Sequence, residues 1–293
     1  MFIKTKSTEA FCFNLNSIDT SKDTILFIAG AGMDHRIVKN IEIDREIFNP
    51  IISIDLPGHG SSPPKEISSI ESYGDFICEV VSELNLKNFH ICGHSMGGLI
   101  ALYIASKNLS EQKSTFLINC LYPLFVGSVL LDDSIRNLDA ATEFMTKYGV
   151  HKIPSKSTVT KSFGVLGSSF YKKNDGLVNS PYGSKKVKNN PDEEVNLFPL
   201  KKLFNQVSKK IMFVDLNACK KYRMDTKALK KIDNLVLLAG EHDKLAPLEK
   251  IMEMESLFKE CKIKKMENVG HFPFFEDPKG FSKSLNTILK TYI

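Results

Sequence analysis

One serine in this chain sits where a side chain can do chemistry. Gly93-His94-Ser95-Met96-Gly97, followed by Gly98, lies between an apolar strand candidate, Phe89-His90-Ile91-Cys92, and the apolar run Leu99–Ala105. A residue on so sharp a strand-to-helix turn is held in strained backbone, and positions two residues away must be small. The hydroxyl of Ser95 is then presented at the carboxyl edge of a sheet, as a nucleophile requires. The same glycine-rich turn also serves as a phosphate cradle or as plain packing. Its chemistry therefore depends on partners. A serine hydroxyl needs a base to take its proton, and the base needs an acceptor to fix its tautomer. Asp243 follows the apolar run Leu235–Ala239, and His271 follows the short strand candidate Ile263–Glu267. Three such residues, each after its own strand and in the order Ser…Asp…His, point to covalent acyl transfer.

The elements that must position them are legible as an alternation. Thr24–Ala29 and Ile51–Asp55 are continuous apolar runs ending in glycine turns, Gly30-Ala31-Gly32 and Leu56-Pro57-Gly58-His59-Gly60. Between Ser69 and Leu84 the apolar residues recur at helical spacing, with Ser69 as N-cap. The Phe89 strand, the serine turn, its helix and the strand Thr115–Cys120 follow. Unbroken apolar strands alternating with helices predict an α/β fold, a mostly parallel central sheet flanked by helices. The rhythm stops between Leu124 and Arg223 and resumes at Leu235. A helix is expected over Leu248–Phe258 and another from Pro278 to the end. The expected organisation is core 1–123, an inserted, mainly helical cap 124–225, and core 226–293. Residues Ser155–Pro199 are rich in Lys, Ser, Asn, Gly and Pro, a composition that predicts a long loop or lid.

These motifs resemble those of the α/β-hydrolase fold, capped serine hydrolase or esterase type. The matching segments are Gly93–Gly98, Asp55-Leu56-Pro57-Gly58-His59-Gly60-Ser61-Ser62, Gly240-Glu241-His242-Asp243-Lys244-Leu245-Ala246-Pro247 and Gly270-His271-Phe272-Pro273. The resemblance implies Ser95 as nucleophile, His271 as general base and Asp243 as orienting acid. It also implies an oxyanion hole made by the backbone N–H groups of Met96 and Ala31. At the second of these the family usually has His-Gly-x, and this chain has Ala29-Gly30-Ala31. Gly30, Gly32, His35, His94 and Phe272 are candidate pocket residues, and Phe125, Phe144, Met145, Phe163 and Phe170 are candidate liners from the cap. Asp55 and His59 are expected to lock their loop, His242 to face solvent, and Asp132 and Asp133 are the alternative acid.

The expected reaction is cleavage of a small ester or related acyl substrate through an acyl-enzyme, a chemistry that calls for no cofactor and no metal. Carbon–carbon bond hydrolysis, lactone opening, thioester hydrolysis and acyl transfer use the same trio, and a ligand receptor is the alternative outside catalysis. Composition is that of a globular protein: 293 residues, 42% hydrophobic and 25% charged, with a net charge of +5. No recognition motif for nucleic acid accompanies the scattered lysines, so no such partner is expected. Phe116–Leu131, the longest apolar segment, is interrupted by Asn119 and Pro123, so no membrane span is expected. Six cysteines without Cys-x-x-Cys or metal-ligand spacing predict free thiols and a cytoplasmic setting. The amino-terminal residues lack the apolar run of a secretory leader. Oligomeric state is not encoded in any of these features.

Overall fold

In the computed structural model, which describes residues 1–16, 18–151 and 198–293, an eight-stranded sheet carries the candidate site on its carboxyl edge. The strands are β1 (Phe2–Lys4), β2 (Glu9–Phe13), β3 (Thr24–Ile28), β4 (Ile52–Ile54), β5 (Phe89–His94), β6 (Gln112–Ile118), β7 (Leu235–Gly240) and β8 (Cys261–Met266), in spatial order β1-β2-β4-β3-β5-β6-β7-β8. From β4 to β8 all pairings are parallel, while β1 and β2 join antiparallel. Every residue of β3, β4, β5 and β7 is buried, because helices cover both faces; that is why these strands read as unbroken apolar runs.

Ten helices are described: α1 (Ile70–Glu83), α2 (Met96–Ala105), α3 (Ser128–Arg136), α4 (Leu138–Gly149), α5 (Phe198–Phe204), α6 (Lys209–Lys221), α7 (Thr226–Leu229), α8 (Leu248–Glu253), α9 (Pro273–Glu276) and α10 (Pro278–Leu289). The Ser69 side chain caps α1 by accepting from the Ser72 N–H, as its position before the apolar periodicity predicts. Helix α2 is apolar all round and lies almost fully inside. Helices α3 to α6 stand between β6 and β7; α3 packs on α4 and α6, and α6 leans on α2. The helix expected over Leu248–Phe258 is shorter as an α-helix, tightening into a 3-10 turn over Met254–Leu257. Residues 155–197 of the expected lid, with Phe163 and Phe170, lie outside the described residues. Among the described residues no helix is long and apolar enough to cross a membrane.

Candidate active site

Ser95 ends β5 and begins α2 at φ 52°, ψ −116°, a strained conformation for a residue with a Cβ. The chain tolerates it because the flanking glycines let backbones touch. A Cβ at Gly93 would stand 2.1 Å from the Gly97 carbonyl oxygen, and one at Gly97 would stand 2.2 Å from that of Ile28. The Ser95 N–H donates to the Ile118 carbonyl at 2.9 Å, which pins the turn to β6. Met96 is the first residue of α2, so its N–H has no acceptor within the helix.

Asp243 follows β7 and His271 follows β8, and their side chains meet. The Asp243 Oδ1 accepts from the N–H groups of Leu245 and Ala246, at 2.8 and 2.9 Å. Its Oδ2 is left for the His271 Nδ1 at 2.7 Å. Both side chains are nearly buried, and the carboxylate spends all its oxygens on N–H donors. Nδ1 therefore carries a proton, which leaves Nε2 as the nitrogen turned away from the carboxylate. Asn119 ties the turn together: its amide donates to the Gly270 carbonyl at 2.8 Å and accepts from the Gly240 N–H at 2.6 Å.

The backbone of His271 is clamped from several sides. Its N–H donates to the carbonyl of Gly149, the last residue of α4. Its carbonyl accepts from His94 Nε2 at 2.8 Å. Burial, with the neighbouring His271 second, drives the His94 pKa well below the ordinary imidazole value, so His94 is neutral. Because a carbonyl can only accept, the proton sits on Nε2 and Nδ1 is bare, packed against Gly30. Glu276 holds the rest of the loop, accepting from the N–H groups of Gly270 and His151 on Oε2 and Phe272 on Oε1. Burial raises the Glu276 pKa even though these three amides oppose it.

Ser95, His271, Gly30, Ala31, His94 and Phe272 line a single cavity of about 490 Å³. The remaining lining is mostly apolar and comes in part from the helices between β6 and β7: Leu124, Phe125, Val126, Leu130, Phe144, Met145, Phe204 and Leu216, with Lys244 beside them. Gly32 and His35, expected in the pocket, stand outside this lining. The His35 Nδ1 is 2.8 Å from Asp55 Oδ2, and its ring lies beside those of Phe11 and Phe13. Gly32 turns its N–H to Asp215 instead. Asp55 also accepts from Ser61 N–H and so locks its loop. The His242 side chain is partly exposed to solvent, and its ring stacks on that of His151 at 3.7 Å between centroids. Asp132 and Asp133 lie on α3, whereas the ring of His271 is already paired with Asp243.

Among the described residues, Asp34, His35 and Asp55 are grouped closely enough to hold a metal. Their ligand atoms are already used: His35 on Asp55, and Asp34 on Arg36. All six cysteines are free, with burial raising the thiol pKa values.

A family model described as the alpha/beta hydrolase family matches residues 25–283. The chain is 24% identical over 262 residues to the AB hydrolase superfamily protein YisY of Bacillus subtilis, covering 86% of each. It is 30% identical over 80 residues to 3-oxoadipate enol-lactonase 1 of Acinetobacter baylyi, covering 27% of this chain and 30% of that protein. An esterase from Exiguobacterium antarcticum superposes with a TM-score of 0.75 over 99% of each chain, at 16% identity. For the curated relatives with the strongest local matches, the aligned segment spans 30% or less of their length. With a strained serine on the carboxyl edge of a mostly parallel sheet and a family match that runs from β3 into the last helix, the chain belongs to the alpha/beta hydrolase family.

Proposed function

We propose that this chain is a carboxylic ester hydrolase that cleaves uncharged esters with an apolar acyl group through an acyl-enzyme on Ser95. The carrying observation is that His271, held at Nδ1 by a buried Asp243, lines the same cavity as the strained Ser95. The Nε2 of His271 takes the Ser95 hydroxyl proton as Oγ attacks the ester carbonyl. The carbonyl oxygen becomes an oxyanion and is met by the N–H groups of Met96 and Ala31. Collapse breaks the bond to the leaving alcohol, which receives the proton from His271. Water then attacks the acyl-enzyme with the same base, and Ser95 regains its proton as the acid leaves. Asp243 stays ionised and stabilises the imidazolium formed in each half. No step uses a metal or a cofactor.

The substrate class follows from the lining. Aside from the reacting groups, the lining among the described residues offers Lys244 and otherwise mainly aliphatic and aromatic surface. Such a wall rewards an apolar acyl chain. The enol-lactonase relative bears on the same chemistry, since a lactone is an internal ester. The six free, largely buried thiols fit a reducing compartment such as the cytoplasm. The test is turnover of p-nitrophenyl esters of increasing acyl length, beside a lactone and a thioester, by the wild type and by Ser95→Ala. Loss of all turnover in a folded alanine variant is expected; retained turnover would refute the reading.

A further inference from the structure

Asp215 lies in the middle of α6, outside every catalytic motif, yet its carboxylate is fully buried and accepts three hydrogen bonds. Oδ2 accepts from His59 Nε2 at 2.8 Å and from the Gly32 N–H at 2.9 Å. Oδ1 accepts from the Tyr73 hydroxyl at 2.8 Å. His59 in turn has Nδ1 at 3.1 Å from the Pro57 carbonyl. A carbonyl and a carboxylate can only accept, so both ring nitrogens carry protons and His59 is an imidazolium. Burial opposes that charge, but Asp215 outweighs it and raises the pKa. The result is a fully buried ion pair joining an inserted helix to two core loops.

A buried ion pair is a poor way to gain stability, because apolar residues of the same volume generally serve at least as well. What this one supplies, and apolar packing does not, is an acceptor for the Gly32 N–H. The turn it reaches is closed by Met33 N–H donating to the Gly30 carbonyl at 3.0 Å, with Ala31 and Gly32 at its centre. Gly32 has φ +67°, which only the third position of a glycine turn of this kind adopts readily. Its N–H belongs to the peptide plane that follows Ala31, so holding that N–H fixes how Ala31 is rotated. Helix α6 also seals the turn by packing: a Cβ on Gly32 would stand 2.4 Å from Met212 Cε. Ala29 offers no side chain to brace this turn from within.

We propose that Asp215 is a positioning residue that orients the Gly30–Gly32 turn, and with it the Ala31 N–H, for the oxyanion. The assignment rests on the oxyanion role given to Ala31 above. It makes α6 part of the catalytic apparatus without touching the substrate: His59 and Tyr73 fix the carboxylate, and the carboxylate fixes the turn.

Asp215→Leu keeps the branching and heavy-atom count of the side chain and removes the acceptor, whereas Asp215→Asn keeps an oxygen for Gly32 and turns its amide toward Tyr73. The readouts are kcat and KM for a p-nitrophenyl ester, and binding of two apolar inhibitors. An alkyl trifluoromethyl ketone adds Ser95 and places an oxyanion in the hole, and the matching alcohol cannot. The leucine variant is expected to lose about 10- to 100-fold in kcat and the same factor in ketone affinity, with KM and alcohol affinity unchanged; the upper end equals loss of one donor. The asparagine variant recovers most of both. Equal loss for ketone and alcohol, or no loss for either, overturns the assignment. Should Asp215→Leu not fold, Tyr73→Phe removes one of the three donors holding the carboxylate. It should then lower kcat and ketone affinity together by about threefold, a modest part of the single-donor effect, and no change in either overturns the assignment. Ser95→Ala is measured alongside. If that variant keeps its turnover, the catalytic reading itself fails; if it is inert while Asp215→Leu is unaffected, only the role of Asp215 fails.

Discussion

Replacing Asp243 with Asn tests the tautomer on which the mechanism turns. In the native site Oδ1 takes N–H groups from Leu245 and Ala246, and Oδ2 faces His271 Nδ1 at 2.7 Å. An amide nitrogen cannot accept from two N–H donors, so the asparagine must keep its oxygen there and point its NH₂ at His271. Nδ1 is then forced to accept, and the ring proton moves to Nε2, the nitrogen that must receive the Ser95 proton. The ring stays in place but is no longer a base. A wrong tautomer of this kind costs about 10⁴ in kcat, equivalent to about 5.5 kcal/mol of transition-state stabilisation. The hydrogen bonds of the side chain survive, so unfolding stability should fall by only about 1 kcal/mol. Steady-state turnover of p-nitrophenyl hexanoate at neutral pH, beside a thermal melt, reads both quantities. KM should stay close to the wild-type value. A kcat loss smaller than about tenfold in a folded variant would refute the assignment of Asp243 and His271.

Other consequences are reached by simpler measurements. The raised His59 pKa means the fold gains from its proton below the ordinary value of 6.5 and loses that gain as pH rises through the higher folded value. The difference in Tm between wild type and His59→Gln should therefore be widest on the acid side and shrink as the buffer turns alkaline; a pH-independent difference contradicts this. Asn119→Ala strands a buried Gly240 N–H and Gly270 carbonyl and should cost about 2–4 kcal/mol by denaturant titration, with a loss below about 1 kcal/mol refuting the bridge. Leu216→Phe narrows the cavity and should shift preference toward shorter acyl chains, lowering kcat/KM for octanoate relative to butyrate by about tenfold. An unchanged ratio would place the acyl chain elsewhere.

The residues of the proposed triad are legible in the sequence because each stands in a local pattern. A strand buried on both faces is a continuous apolar run, and the turn that ends it holds glycine or a polar residue; Ser95 and Asp243 follow such runs, whereas His271 follows β8, an edge strand with three lysines and only one buried residue. The first two strands escape such a reading. β1 is three residues long and β2 alternates, at the antiparallel end of the sheet where one side stays partly exposed. The residues that hold the site in register escaped for a different reason. Gly32 and Asp215 are 183 residues apart, and Asn119 reaches Gly270 across 151. No spacing within a motif announces an acceptor delivered from a distant helix. Glu276 stands next to the histidine loop, and its use is apparent only from the three N–H groups that the fold brings to it. The place of His35 after the turn allows either a pocket role or a helix-capping one, and in the fold its ring turns to Asp55.

The most direct test of a nucleophilic Ser95 is the mass of the intact chain after reaction with an alkyl fluorophosphonate, followed by peptide mapping. One adduct per chain on the peptide carrying Ser95, strongly slowed by His271→Ala and absent from Ser95→Ala, is the expected result. A folded protein that takes up no label, or takes it up on another residue, would contradict the account.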